Sequence, residues 1–233
     1  MHTVPTDFYF LGERDYVHGP SILGACLSIV EKVCGSAESP AVRVVTCRFR
    51  RYLRENGTVL AWSASEAPPH VGTGEVCATA TLSVGDGTYR FAVLERGDSS
   101  IGCRVPYEED AYLGHLVQAG DFSGSGNIQN VWTKKDLVRA IVAFNKRLHD
   151  RWMGEHGQSG RYRWSFASLE GMELPAIPAE SPGDAPSFAG LLSLDQTSVW
   201  RVEGNLHTVS HGQVRLADFP PCSFRIGFAG RLR

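Results

Sequence analysis

The chain has 233 residues, a formal net charge of −2 and 42% hydrophobic residues, which is an ordinary globular composition. That length allows one large domain or two small ones. The near-neutral balance excludes a global field drawing the protein to nucleic acid or to a membrane surface, and no apolar run reaches the ~18 residues of a membrane span. Met1-His2-Thr3-Val4-Pro5 has no basic stretch followed by an apolar core, so no signal peptide is read and the cytoplasm is the expected location.

Taken in order, Asp7-Phe8-Tyr9-Phe10-Leu11 reads as a short strand ending in a turn at Gly12. A helix is predicted over 20–34, from apolar residues Ile22, Leu23, Cys26, Leu27, Val30 and Val33 at helical spacing. Pro20 suits its first turn, and Gly35 can end it in a left-handed conformation. A Ser/Glu/Pro linker follows at 36–40. Val42–Trp62 then alternates apolar residues with arginine and reads as one long strand, with a bulge or bend at Gly57. After a loop at 66–74, Val76–Val84 and Tyr89–Leu94 form a hairpin through Gly85-Asp86-Gly87.

The pattern then starts again. Asp121-Phe122 precedes Ser123-Gly124-Ser125-Gly126, which reads as a flexible connector, since no Lys-Ser/Thr follows in register to make it a phosphate loop. A second amphipathic helix carries Leu137, Val138, Ile141, Val142, Phe144, Leu148 and Trp152. Arg161–Leu169 is an alternating strand, 175–187 a Pro-rich loop, and Phe188–Leu194, Ser198–Val209 and Val214–Arg225 are closing strands. Sliding the first half by 114 residues sets Asp7 on Asp121, Tyr16 on Asn130, His18 on Trp132 and Leu23 on Leu137.

Tyr16-Val17-His18-Gly19 at a helix start, followed by Phe49-Arg50-Arg51-Tyr52-Leu53 and Gly57-Thr58-Val59-Leu60, resembles the hotdog-fold acyl-thioester enzymes: carrier-protein dehydratases, hydratases and thioesterases. Over residues 7–97 the resemblance is to a superfamily, not to one reaction. It implies an α+β fold. With the repeat, that fold is a double hotdog, with units 1–104 and 105–233 whose two helices lie side by side. One hotdog unit beside an unrelated α+β domain is the other arrangement the sequence allows. Acyl-thioester chemistry is implied, dehydration of a 3-hydroxyacyl group on an acyl carrier protein or coenzyme A first and thioester hydrolysis second. A non-catalytic acyl- or carrier-protein-binding partner is the reading from outside the enzymes. Neither a cofactor nor a metal is expected, and a homodimer or a partner hotdog subunit is compatible with the fold.

His18 is the leading catalytic candidate: beside a helix N-terminus, an imidazole could take the C2 proton of a 3-hydroxyacyl thioester or orient a water. Its alternative is a helix cap or packing residue. The Gly-His-Phe-Pro segment that carries the histidine of the carrier-protein dehydratases is absent. Asp136, in the first turn of the second helix, is the candidate acidic partner, or else an N-terminal dipole partner. Tyr16, Gly19, Asn130 and Trp132 are candidate substrate contacts. Arg48, Arg50 and Arg54 share a strand parity and form either a carrier-protein or coenzyme A docking strip or a solvated face. His207 and His211 lack a third metal ligand nearby. The six cysteines hold no Cys-x-x-Cys pair and read as free thiols, several of them buried.

Overall fold

The computed structural model describes residues 1–35, 39–71, 75–177 and 187–232. Parts of the predicted linker at 36–40 and of the loops at 66–74 and 175–187 fall outside them. The described residues form thirteen strands and two helices. The first half holds β1 (His2–Thr6), β2 (Phe10–Leu11), α1 (Gly19–Cys34), β3 (Val42–Phe49), β4 (Glu55–Ser63), β5 (Val76–Val84) and β6 (Gly87–Ser100). After β7 (Arg104–Val105) and a 3-10 turn at Glu109–Tyr112 come β8 (Leu113–Gly120), β9 (Ser123–Val131), α2 (Lys134–Glu155), β10 (Tyr162–Leu174), β11 (Phe188–Val202), β12 (Asn205–Leu216) and β13 (Cys222–Leu232).

Eleven strands make one antiparallel sheet in the order β1-β4-β6-β5-β3-β10-β13-β12-β11-β9-β8, while β2 and β7 pair apart from it. The seam between the halves is β3 against β10, with Val42 opposite Leu174 and Arg48 opposite Ser168. Each half of the sheet covers one helix, and the helices pack on each other. Gly24 makes that approach close, because a Cβ there would lie 2.7 Å from the Lys135 side chain. Alternation builds the core: Phe224, Ile226 and Phe228 of β13 are buried while Ser223 and Arg225 face outward. Two buried helices, each wrapped by half of a continuous sheet, make the α+β double hotdog expected from the sequence.

Several sequence expectations need correction. Val42–Trp62 is not one strand but β3 and β4, which do not pair with each other; residues 50–54 carry the chain across β5 and β6. The predicted strand at 7–11 divides, with β1 ahead of it and only Phe10 and Leu11 extended. Ser123–Gly126 is no flexible connector. It opens β9, where Gly124 and Gly126 let Leu148 and Phe144 of α2 pack against the sheet. The final strands run 188–202, 205–216 and 222–232, so the chain turns at Glu203-Gly204 and not at the breaks expected after Leu194 and Val209. The halves also differ in pairing. Outward from the seam, the first reads β3-β5-β6-β4 and the second β10-β13-β12-β11, so the hairpin enters in the opposite order.

Candidate active site

Three local constraints fix the start of α1. His18 is its extended N-cap residue, Pro20 occupies the first turn, and Val17 N donates to Leu53 O at 2.8 Å, tying the entry to the 50–54 crossover. Gly19 lies where a Cβ would come within 2.7 Å of Phe166 Cδ1 and 3.1 Å of Phe49 Cζ. A glycine therefore lets the helix end settle onto the seam.

Beside it is a cavity of about 90 Å³ lined by Tyr16, His18 and Gly19. Ile22, Phe49, Val142, Trp164 and Phe228 supply apolar wall. Arg14, Arg50, Arg51, Lys146 and Arg231 bring five cations to its surface against one carboxylate, Glu109. Glu109 accepts from Lys146 Nζ at 2.5 Å and from Arg14 Nη2. The Arg231 guanidinium stands 5.0 Å from the centre of the Tyr52 ring, and Tyr52 in turn lies 4.3 Å from Tyr16 and shares a 2.6 Å hydrogen bond with Ser165.

His18 is buried, and its Nδ1 is sealed from solvent without a hydrogen-bond partner among the described residues. Burial, followed by the charges of Arg14, Arg139 and Lys146, holds its pKa well below the usual 6.5. The ring is therefore neutral at physiological pH. Against it, 5.4 Å away, lies the ring of Tyr107, whose phenol is pushed up by burial and then by Glu109 and so keeps its proton.

Asp136 is not among the residues lining this cavity. At the start of α2 its carboxylate accepts from Thr133 Oγ1 at 2.8 Å and from Tyr112 at 3.1 Å, and pairs with Arg139 Nη1 at 3.3 Å; its backbone N–H donates to Thr133 Oγ1 at 3.0 Å. Asn130 takes a left-handed φ of 56° and donates to Ala111 O at 2.7 Å. Asn130 and Trp132 line a second cavity with Arg139. Counted between helix caps, His18 corresponds to Thr133 rather than Trp132, an offset of 133 − 18 = 115. The three arginines do not share a strand face: Arg48 on β3 pairs with Glu170 at 3.1 Å, whereas Arg50 and Arg54 lie on the crossover, Arg54 3.8 Å from Asp15. Of the predicted residues, Tyr16, His18, Gly19 and Arg50 thus meet at one cavity. Glu109, Lys146 and Tyr107 were not foreseen, since they lie far from His18 in sequence and outside any motif; Arg14, four residues before His18, also belongs to no motif.

No family model matches the chain, and no curated protein does. Among solved structures it is similar to GphF dehydratase 1 (10% identity, TM-score 0.48, covering 99% of this chain and 92% of that one). It is also similar to the tesB protein of Mycobacterium avium subsp. paratuberculosis (10%, 0.47, 96% and 91%). A third is the dehydratase domain of PpsC from Mycobacterium tuberculosis in complex with C12:1-CoA (9%, 0.43, 99% and 92%). The fold is a double hotdog. That assignment rests on the strand order and the paired helices, and no site residue is carried across from these proteins.

Proposed function

We propose that the protein processes a short acyl thioester, with the 3-hydroxyacyl form dehydrated at His18. The observation that carries this is a neutral imidazole at a helix N-terminus, on a cavity with an apolar wall and a cationic surface. The positive end of α1 favours negative charge developing on a thioester carbonyl, while the imidazole, neutral at physiological pH, can accept the C2 proton and, as the imidazolium so formed, deliver it to the C3 hydroxyl as the C3–O bond breaks and water leaves. Arg50 and Arg231, both exposed, suit the phosphates of coenzyme A or of a carrier-bound phosphopantetheine. About 90 Å³ is well below the ~300–1,000 Å³ of a drug-sized ligand pocket, which favours a short acyl group over a long chain. Glu109 anchors Lys146 and Arg14 beside the imidazole, and Asp136 acts at one remove by orienting Arg139.

Incubation with 3-hydroxybutyryl and butyryl thioesters of coenzyme A and of a phosphopantetheinylated carrier protein tests the reading. Enoyl absorbance that disappears in His18→Ala supports dehydration, whereas free thiol without enoyl product makes it a thioesterase. One feature favours a non-catalytic acyl-binding protein instead: the sealed Nδ1 and depressed basicity of His18 also suit a packing residue. Saturable thioester binding with neither product, unchanged in His18→Ala, would establish that second reading and overturn the first.

A further inference from the structure

The second cavity, of about 230 Å³, has chemistry of its own. Tyr9, Tyr112 and Trp132 give it aromatic walls, Leu11 and Pro106 add apolar surface, Arg139 is its cation and Glu108 its one carboxylate. Arg139 is 9% exposed, and the two edges of its guanidinium are used differently. Nη1 donates to Asp136 Oδ1 at 3.3 Å and to Tyr112 at 3.4 Å, so one edge is neutralised. On the other edge Nη2 donates to the Tyr9 hydroxyl at 3.2 Å, and Nε is buried with no partner among the described residues. Nε and Nη2 point the same way and form the side-on fork that a carboxylate fills with two parallel hydrogen bonds. Tyr107, on the wall of the same cavity, also has a buried hydroxyl without a partner among the described residues.

We propose that this cavity is a carboxylate-binding site, in which the Nε–Nη2 edge of Arg139 holds the acid group and the aromatic walls take a small apolar or aromatic body. A buried guanidinium with an unused donor is costly unless something accepts from it. The charge of Lys135 also acts on Tyr9, adding a second cation on that side. None of its walls supplies the imidazole, although Tyr107 packs on His18 and the Arg139 charge acts on it, so binding here is read separately from thioester turnover.

Calorimetric titration of the full chain with sodium benzoate, sodium butyrate and inorganic phosphate decides the matter. Saturable binding is expected in the order benzoate, butyrate, phosphate. Benzoate should also shift the Trp132 indole N–H resonance, in the parent protein and equally in His18→Ala. Arg139→Lys keeps the charge beside Asp136 but removes the fork, and should weaken benzoate about ten- to a hundredfold. Tyr9→Phe leaves the Arg139–Asp136 pair in place and should weaken it severalfold, so the test survives even if Arg139→Lys fails to fold. Absence of saturable benzoate binding, or unchanged affinity in Tyr9→Phe and in any folded Arg139→Lys, overturns the proposal. Phosphate binding more tightly than benzoate overturns the carboxylate assignment.

Discussion

Lowering the pH should destabilise this protein through one identifiable side chain, His149. It is fully buried on α2 among the rings of Phe122, Trp164 and Phe228. Its Nδ1 lies 2.6 Å from Asn145 O, which can only accept, so Nδ1 carries the proton; Nε2, 2.7 Å from Thr208 Oγ1, then accepts from the threonine. A second proton would put a charge in an aromatic cage, and burial depresses the pKa to about 4, against a smaller opposing effect of the Asn145 carbonyl. The folded value is below the unfolded one, so the unfolded state binds more protons between them. Stability is accordingly full above about pH 6.5 and is lost as pH falls toward 4. From 6.5 and about 4, linkage gives a loss of about 2 kcal/mol by pH 5 and about 3 kcal/mol by pH 4. Urea denaturation of the parent protein and of His149→Gln, at steps from pH 7.5 to 4, isolates the effect, because carboxylates and His18 titrate alike in both. A difference curve flat to within about 0.5 kcal/mol from pH 7.5 to 5 would refute the reasoning.

Other outcomes follow from the same coordinates. If His18 is the base, kcat/KM for 3-hydroxyacyl thioester should stay level from pH 8 to 6.5 and fall only below that, since its pKa is held well under 6.5; a drop centred near pH 7 contradicts the assignment. Gly212→Ala should cost about 1–3 kcal/mol in urea denaturation, because a Cβ would sit 2.6 Å from both Leu194 Cδ2 and Phe224 Cζ and 2.7 Å from Ser193 O. Lys134, with no exposed surface, donates to Glu31 at 2.5 Å, to Ser39 at 2.6 Å and to Ile177 O. Replacing it with Met should cost about 3 kcal/mol by the same assay. With a thiol reagent on the folded protein, Cys103 should react at once, while Cys26 and Cys222, pushed up by burial to about 12 and about 11, should wait for denaturant.

What could be read in advance was whatever repeats locally. Both helices announced themselves by spacing, and Gly35 does end α1 in the left-handed region at φ 61°. The break between β3 and β4 was hidden because Arg50-Arg51-Tyr52-Leu53-Arg54 contains no glycine or proline and continues the apolar alternation through Leu53, which is itself buried. β8 leaves no signal in the sequence because it is an edge strand with mostly exposed residues, so no face of it is patterned. In Ser123-Gly124-Ser125-Gly126 composition suggested looseness, but a Cβ at Gly124 would lie 2.5 Å from Val117 O and 3.0 Å from Leu148 Cδ2. Those glycines serve close packing. At the site, Tyr16 and His18 stood out beside a helix start; Glu109 and Lys146 reach them only through the docking of α2, which no local pattern encodes.

The seam between β3 and β10 joins residues 120 to 132 apart in the chain, from Arg48 with Ser168 to Val42 with Leu174. A ribosome adding roughly 5–20 residues per second would leave β3 without that neighbour for about 6–24 s. Through that interval the nascent first half presents a bare strand, able to recruit the wrong chain. Crowded translation should therefore favour misassembly at this one edge, and a slow codon stretch before residue 162 would lengthen the hazard rather than relieve it.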